Sequence, residues 1–381
     1  MIESGDALFD YGVDPDIEEL VSSTSSERIA VIRTSDRGGF KRCRRRWGWQ
    51  SHLRGNLTPL ETASPLWFGS GFHYAMEDFH GDRTYRHPHD AFKAYVKATH
   101  RMSKIKRDVR LLPYDWQDLY VLGVQMIDYY ADHWLIARDP LKTFIWQGRP
   151  QVEVHAVVEV PFQTPHYDKV LYACTLDRVV EDENGGLWIL DYKTAKVIQT
   201  HFFQTDPQIS AYCWIGRQLY GRPIAGFIYQ QHRKLVPDEP RFVASTGRLS
   251  TAKNQSTTHR LYRHAMKKLY GDPNKAPVET IDYLNGLLQT ESEHADKFIR
   301  RDFIYRNEHQ AEAEGAKLML ELEEMLNPDL PLYPSPTRDC GHLCSFMNAC
   351  VSMDDGSDWQ RELEIGFKQK DDKFDNWREY L

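Results

Sequence analysis

The chain has 381 residues, 41% of them hydrophobic and 27% charged, with a formal net charge of −7 at pH 7. That length buries one large core, or one core with a smaller lobe, and the composition is that of a globular protein. No stretch approaches the roughly 18 uninterrupted apolar residues a membrane-spanning helix needs, and the first twenty residues lack the basic start and apolar core of a secretory signal. Six cysteines are too few for a disulfide-built secreted fold of this size. Their clustering points to metal or cofactor ligation in a reducing compartment, so a cytoplasmic location is expected.

Residues 1–20 carry acidic side chains and no lysine or arginine, which suggests a flexible acidic tail over 1–27. Basic runs follow. The first gathers Arg37, Lys41, Arg42, Arg44, Arg45, Arg46 and Arg54 around Trp47 and Trp49; the second holds Arg101, Lys104, Lys106, Arg107 and Arg110; the third includes Arg300, Arg301 and Arg306. Concentrated positive charge with interleaved aromatics suits phosphate contacts and base stacking, although any one run alone also fits a solvated helix face.

In chain order, residues 36–54 read as a short basic helix, 66–80 as a helix after Pro65, and 88–104 as another opened by Pro88. Apolar residues at helical spacing predict a long amphipathic helix over 114–137. The pattern then changes to alternation over 152–160. Two further strand-like runs, LYACTLDRVVE and LWILDYKT, are separated by Asp182-Glu183-Asn184-Gly185-Gly186, a strong hairpin signal. Pro207 starts a helix to about 219, and 224–231 reads as a strand. Residues 238–256 look irregular, and the remainder is mostly helical to 326 with a short strand near 298–305. A proline-rich stretch leads into the cysteine-rich segment. The expected fold class is α/β, a small mixed sheet flanked by helices with a helical cap.

The hairpin sets Asp177 near the end of one strand and Asp191 and Lys193 on the next, where alternation puts Asp191 and Lys193 on one face and Tyr192 on the other. Two carboxylates and an amine converging at one edge suit phosphodiester hydrolysis. The carboxylates hold a hard divalent cation such as Mg2+ or Mn2+, and Lys193 orients water or stabilises charge on the phosphate. A lone Asp-x-Lys also occurs on ordinary strands with a surface salt bridge. Here it is accompanied by Gly69, His73 and Glu77 on a predicted helix, with His73 and Glu77 one turn apart and His73 able to serve as a further metal ligand. Gln208 and Tyr212 lie four apart on the helix after the catalytic strand, spaced to bond a phosphate or to position Lys193.

The ordered set GxxxHxxxE, Asp177-Arg178, Asp191-Tyr192-Lys193 and Gln208-xxx-Tyr212 resembles the RecB-like branch of the PD-(D/E)XK nucleases. The resemblance implies a restriction-endonuclease-like core. It also implies metal ligation by His73, Asp177, Asp191 and the carbonyl of Tyr192, catalysis by Lys193, and DNA or lysine positioning by Gln208 and Tyr212. The family usually has glycine three residues before the first aspartate, where this chain has Cys174, and Leu176 replaces the nominal proline. Glu159 on the preceding strand could also face the site.

Cys340, Cys344 and Cys350 form a C-x3-C-x5-C segment, and Cys43 in the basic helix is the natural fourth thiol. Cys174 and Cys213 fall in the core, where cysteine is usually a small buried hydrophobe. One early and three late cysteines resemble the iron–sulfur staple of AddB-type nucleases and of the exonucleases associated with CRISPR adaptation, whose late spacing is one residue shorter. The resemblance implies a 4Fe-4S cluster tying the N-terminal helix to the C-terminal segment. Zinc is the alternative occupant, with His342 able to replace one thiol.

The chain is thus expected to fold as an acidic tail (1–27), one nuclease domain (28–355) and a C-terminal tail (356–381). Within the domain, 28–140 is a helical region, 141–235 the catalytic core, 236–335 a second helical region and 336–355 the cysteine segment. The expected function is a metal-dependent DNA exonuclease acting on single strands or free ends, in recombination, repair or phage DNA processing, within a bacterial cell or phage-infected host. A non-catalytic DNA-binding scaffold and a restriction-type endonuclease are the alternatives. No Walker-type GxxxxGK(S/T) segment is present, so any helicase partner is a separate chain.

Overall fold

The β-branched and aromatic runs in the middle of the chain build a mixed sheet in the computed structural model, which describes residues 8–9, 27–135, 139–290, 296–370 and 377–381. The strands are β1 (Leu8–Phe9), β2 (Ile29–Arg33), β3 (Leu57–Pro59), β4 (Lys142–Thr143), β5 (Ile145–Trp146), β6 (Arg149–Pro150), β7 (Val152–Glu159) and β8 (Lys169–Glu181). They continue with β9 (Leu187–Ala195), β10 (Ile224–Arg233), β11 (Phe242–Val243), β12 (Arg248–Leu249), β13 (Ile299–Tyr305) and β14 (Phe367–Gln369). The helices that position the site are α1 (Thr34–Arg42), α2 (Arg44–Gln50), α3 (Ser64–His80), α4 (Pro88–Lys106), α5 (Trp116–Asp128), α6 (Pro207–Tyr220), α7 (His259–Tyr270), α8 (Val278–Gln289) and α9 (Glu308–Met325). Near the C-terminus come α10 (Cys340–Leu343), α11 (Met347–Asp355) and α12 (Trp359–Gly366).

The main sheet runs β1-β7-β8-β9-β10-β13, with β2 and β4 also on β8. Strand β8 is long enough to serve two neighbours on one side. Its first residues, Lys169–Ala173, run parallel to β2, and its last, Arg178–Glu181, pair antiparallel with β9. The β8–β9 turn is where the sequence placed it: Gly185 takes φ 79°, and Asp182 Oδ1 accepts from the backbone N–H groups of Asn184 and Gly186 at 2.9 Å. Strands β9 and β10 are parallel and need a crossover, which α6 supplies. That helix is delimited by its own sequence: Asp206 caps it by accepting from Gln208 N at 2.9 Å, Pro207 occupies its first turn, and Gly221 ends it at φ 58°.

Helices cover both faces of the sheet. Ile189, Ile209, Ile215 and Leu318 belong to one core, and Phe68, Phe72, Phe92, Leu190, Tyr192 and Ile228 to the other. Ile189 and Leu190 are adjacent, so β9 is buried from both sides. A third cluster, with Leu249, Tyr262, Met266, Leu284 and Leu287, holds α7 and α8 against the β11–β12 hairpin, within the stretch expected to be irregular.

Three expectations are revised. The basic helix predicted over 36–54 is two helices, because Cys43 leaves helical geometry at φ −165°, ψ 115° and serves as the boundary between α1 and α2. The amphipathic helix predicted to 137 continues from α5 into a π-helical turn over Tyr129–Trp134; residues 136–138 lie outside the described ones. The C-terminal stretch is not a bare tail. β14 pairs with β3, Phe367 stacks on Phe346 at 4.2 Å, and Trp377 packs edge-on against Tyr74 and Tyr95, so its aromatics find partners on the domain. Of the acidic leader, Leu8–Phe9 pairs with β7, and residues 1–7 and 10–26 lie outside the described ones.

Helix α1 is tied to α9 by a buried ion pair: Arg37 Nη2 donates to Glu314 at 2.9 Å and Arg37 Nε to Glu321 at 2.6 Å, with Arg37 and Glu314 at 3% and 2% exposure. Removing one partner strands a buried charge, which costs about 3–5 kcal/mol. Arg37→Ala is therefore expected to lower unfolding free energy by that amount in denaturant titrations. A loss under about 1 kcal/mol, the size of a surface pair, would show that this contact does not hold the two helices.

Candidate active site

The hydrogen-bond register brings three acids to one level on adjacent strands. Arg178 pairs with Leu190, which sets Asp177 opposite Asp191; Val152 with Arg178 and Val154 with Leu176 set Glu153 opposite Asp177. Glu153 interrupts the β7–β8 ladder with a left-handed backbone at φ 49°, an unfavourable conformation for a non-glycine residue. Lys193 Nζ donates to Asp191 Oδ1 at 2.7 Å and lies 2.6 Å from Oδ2. Asp177 Oδ2 accepts from the Tyr192 backbone N–H at 2.8 Å, and His73 Nδ1, carried in by α3, lies 3.4 Å from the same oxygen. Ligand atoms of His73, Glu153 and Asp177 all fall within 4.8 Å of one another, a spacing that suits a divalent cation.

The electrostatics follow from crowding acids out of water. Burial pushes the Asp191 carboxyl up to about 6, with Asp177 adding to the rise and Lys193 opposing it. Burial and the neighbouring Asp177 push Glu153 up to about 7. Burial also acts to raise Asp177, but His73, Lys193 and the Tyr192 N–H outweigh it and hold this carboxyl below the usual range. Burial acts to lower His73, but Asp177 overrides it and brings the imidazole up to about 9. Lys193 is likewise raised, because Asp191 and Asp177 outweigh its burial.

A second polar layer backs β9. The Tyr192 hydroxyl lies 3.5 Å from Arg178 Nη1, and Arg178 Nε donates to Thr143 Oγ1 at 2.9 Å. Asp139 bridges Arg178 and Arg301, at 3.6 and 2.8 Å. His80 stacks on Tyr192 with ring centroids 6.1 Å apart and hydrogen-bonds the Tyr130 hydroxyl at 2.9 Å.

His73, Asp177, Asp191, Tyr192 and Lys193 are thus drawn together. Gln208 donates to the Tyr212 hydroxyl at 3.0 Å, and Tyr212 feels the charges of Asp191 and Asp177. Glu77, one turn from His73, is instead paired with Arg378 at 2.6 Å. Glu159, exposed at the far end of β7, pairs with Lys169 at 2.8 Å. The acid that joins the cluster is Glu153, which the sequence reading missed. What brings it in is the β7–β8 register, which sets it opposite Asp177 and which the sequence does not state.

Much of the expected basic surface is engaged internally. Arg44 pairs with Glu324, Arg45 with Asp354 at 2.6 Å, Arg300 with Asp302 at 2.8 Å, and Arg54 and Arg306 donate to backbone carbonyls. Arg101 and Lys104 remain exposed on α4.

The cysteine segment packs against α2. Tyr333 O accepts from Arg45 N at 3.0 Å, Ser335 N donates to Cys43 Sγ at 3.5 Å, Arg45 Nη1 to Cys350 Sγ at 3.3 Å, and Thr337 N to Cys340 Sγ at 3.4 Å. Among the described residues, no three thiols have their sulfurs within 4.8 Å of one another. The His342 side chain lies outside the described residues.

A cation entering this site displaces protons held by His73, Glu153 and Asp191, whose values of about 9, 7 and 6 are all raised. Affinity for Mn2+ should therefore fall as pH is lowered, roughly tenfold per unit while one proton is displaced. Calorimetric titrations between about pH 6 and about pH 9 check this; a flat profile would place the cation elsewhere.

No curated protein matches the sequence. A family model does, the PD-(D/E)XK nuclease superfamily, over residues 38–351, a span that holds every residue of the cluster. The chain belongs to the PD-(D/E)XK nuclease superfamily.

Proposed function

We propose that the chain is a Mg2+- or Mn2+-dependent deoxyribonuclease that works as an exonuclease on single-stranded DNA or free DNA ends. The observation that carries this reading is the convergence of Asp177, Asp191, Lys193 and His73 on one strand edge, inside the span matched by the family. His73, Asp177, Asp191 and the carbonyl of Tyr192 would hold the cation, with Glu153 close enough to contribute. When bound, the cation polarises the phosphate and makes hydroxide available near neutral pH. Lys193 stays protonated because its carboxylate neighbours raise it, so it acts as a hydrogen-bond donor and positive charge towards the phosphate and not as a proton acceptor. Tyr212, held by Gln208, borders the carboxylates where a phosphate oxygen would lie.

Cys43, Cys340, Cys344 and Cys350 are proposed to hold a 4Fe-4S cluster. The support for this over zinc is the order of the thiols, one early and three late, which resembles an iron–sulfur staple. N–H donors on Cys43, Cys340 and Cys350 are the contacts that stabilise thiolate ligands. No described helix is long and apolar enough to cross a membrane. Work in the cytoplasm on DNA in recombination, repair or phage DNA processing, beside a helicase supplied as a separate chain, accords with this reading.

End-labelled single- and double-stranded DNA incubated with Mn2+ tests the activity. The wild type should shorten DNA progressively from an end, and Lys193→Ala should lose at least about 10²-fold in rate while still binding. Internal fragments would instead indicate a restriction-type endonuclease, and binding without cutting by either protein would indicate a scaffold. Anaerobically purified protein should carry iron and sulfide with visible charge-transfer absorption, lost in Cys43→Ser. Zinc without iron would assign the thiols to zinc.

A further inference from the structure

We infer that His87, His89 and Asp128 form a second metal site, suited to zinc or a similar borderline divalent ion and separate from the nuclease carboxylates. His87 caps α4 and His89 sits in its first turn, while Asp128 is the last residue of α5. Both imidazoles turn Nδ1 towards one carboxylate oxygen: Asp128 Oδ1 lies 2.5 Å from His89 Nδ1 and 3.7 Å from His87 Nδ1. The three donor atoms fall within 4.8 Å of one another.

The outward nitrogens carry the stronger argument. His87 Nε2 lies 3.2 Å from Asp132 Oδ1, and His89 Nε2 lies 3.1 Å from Asp90 Oδ1. Each ring thus offers Nδ1 inward and is braced at Nε2 by its own carboxylate, the arrangement that fixes tautomer and orientation in histidine–metal sites. The rings approach to 4.1 Å between centroids, and His87 Nδ1 accepts from His89 N at 3.3 Å, which makes it the unprotonated nitrogen of that ring, its lone pair held by a long contact that a bound ion would replace. Lys93, 3.4 Å from Asp90, is the cation paired within the cluster, against three carboxylates.

Zinc bonds of about 2.0–2.2 Å to nitrogen and oxygen need donors roughly 3.3 Å apart. His89 and Asp128 must open by less than about 1 Å to admit the ion, and His87 is already near that separation. Two nitrogens and one oxygen leave a fourth position for water and favour a softer ion than the all-oxygen preference of magnesium. The site would pin the start of α4 to the π-helical turn that follows Asp128, a rare conformation often found at functional sites. Tyr130 in that turn holds His80, which stacks on Tyr192 of the catalytic strand.

Zinc titrations of the full chain against a chromophoric chelator test the site, comparing wild type with Asp128→Asn and His89→Ala. The thiols and nuclease carboxylates are common to all three proteins, so the difference isolates this cluster. Each variant is expected to bind one zinc fewer per chain, or to bind it at least about tenfold more weakly, and to lose part of the zinc-dependent rise in Tm. Equal zinc number and affinity in wild type and a folded variant overturns the inference; if His89→Ala fails to fold by circular dichroism, the near-isosteric Asp128→Asn decides. Cleavage of DNA is not the readout, so the outcome is independent of the proposed nuclease activity.

Discussion

Three carboxylates at one level on neighbouring strands, largely removed from water, repel one another unless positive charge is brought to them. Much of the architecture answers that constraint. Helix α3 carries His73 to Asp177, β9 carries Lys193 beside Asp191, and Arg378, docked on Glu77, adds a favourable field at Glu153. The Tyr192 N–H, turned to Asp177 and not into the sheet ladder, supplies a fourth compensating dipole. A divalent ion is the remaining charge that such a cluster suits.

The opposite side of β9 is charged as well, but closed. Arg178, Asp139 and Arg301 form a chain of buried charges, with Gln230 accepting from Arg301 Nε at 2.9 Å. Burial pushes His232, beside this chain, down to about 3, leaving it neutral, and it packs its ring against Phe72 at 4.6 Å. Such a layer fixes the direction of Tyr192, whose side chain points into it while its backbone faces the carboxylates. The precision of the site thus depends on residues that never reach it.

The sheet and the nuclease motifs were legible because their signals are local. Alternation, the Asn-Gly-Gly turn and the Asp-Pro start of α6 each act within a few residues, and they fix which face Asp191 and Lys193 share. Glu153 was not legible, since it enters the cluster through the β7–β8 register, which no local signal states. The basic runs misled for a different reason: sequence shows charge but not its partner, and Glu314, Glu321, Glu324 and Asp354 lie hundreds of residues away from the arginines they neutralise. The sequence reads the C-terminal segment as a tail because its anchoring aromatics, Phe367 and Trp377, show no periodicity, and only the surface that receives them gives them a role.

The ties between the two ends of the chain bear on how it folds. Arg37 meets Glu321 across 284 positions, Cys43 meets Ser335 across 292, and Glu77 meets Arg378 across 301. The entropy of closing such loops is lost before their contacts form, so a chain organised this way folds slowly and passes through states with an open sheet edge and unclosed apolar faces. Helix α3 can form early from local contacts, yet the surroundings of its metal-facing turn are complete only when residues from the far end of the chain arrive. Completion of the site is therefore expected late in folding, after these distant contacts close.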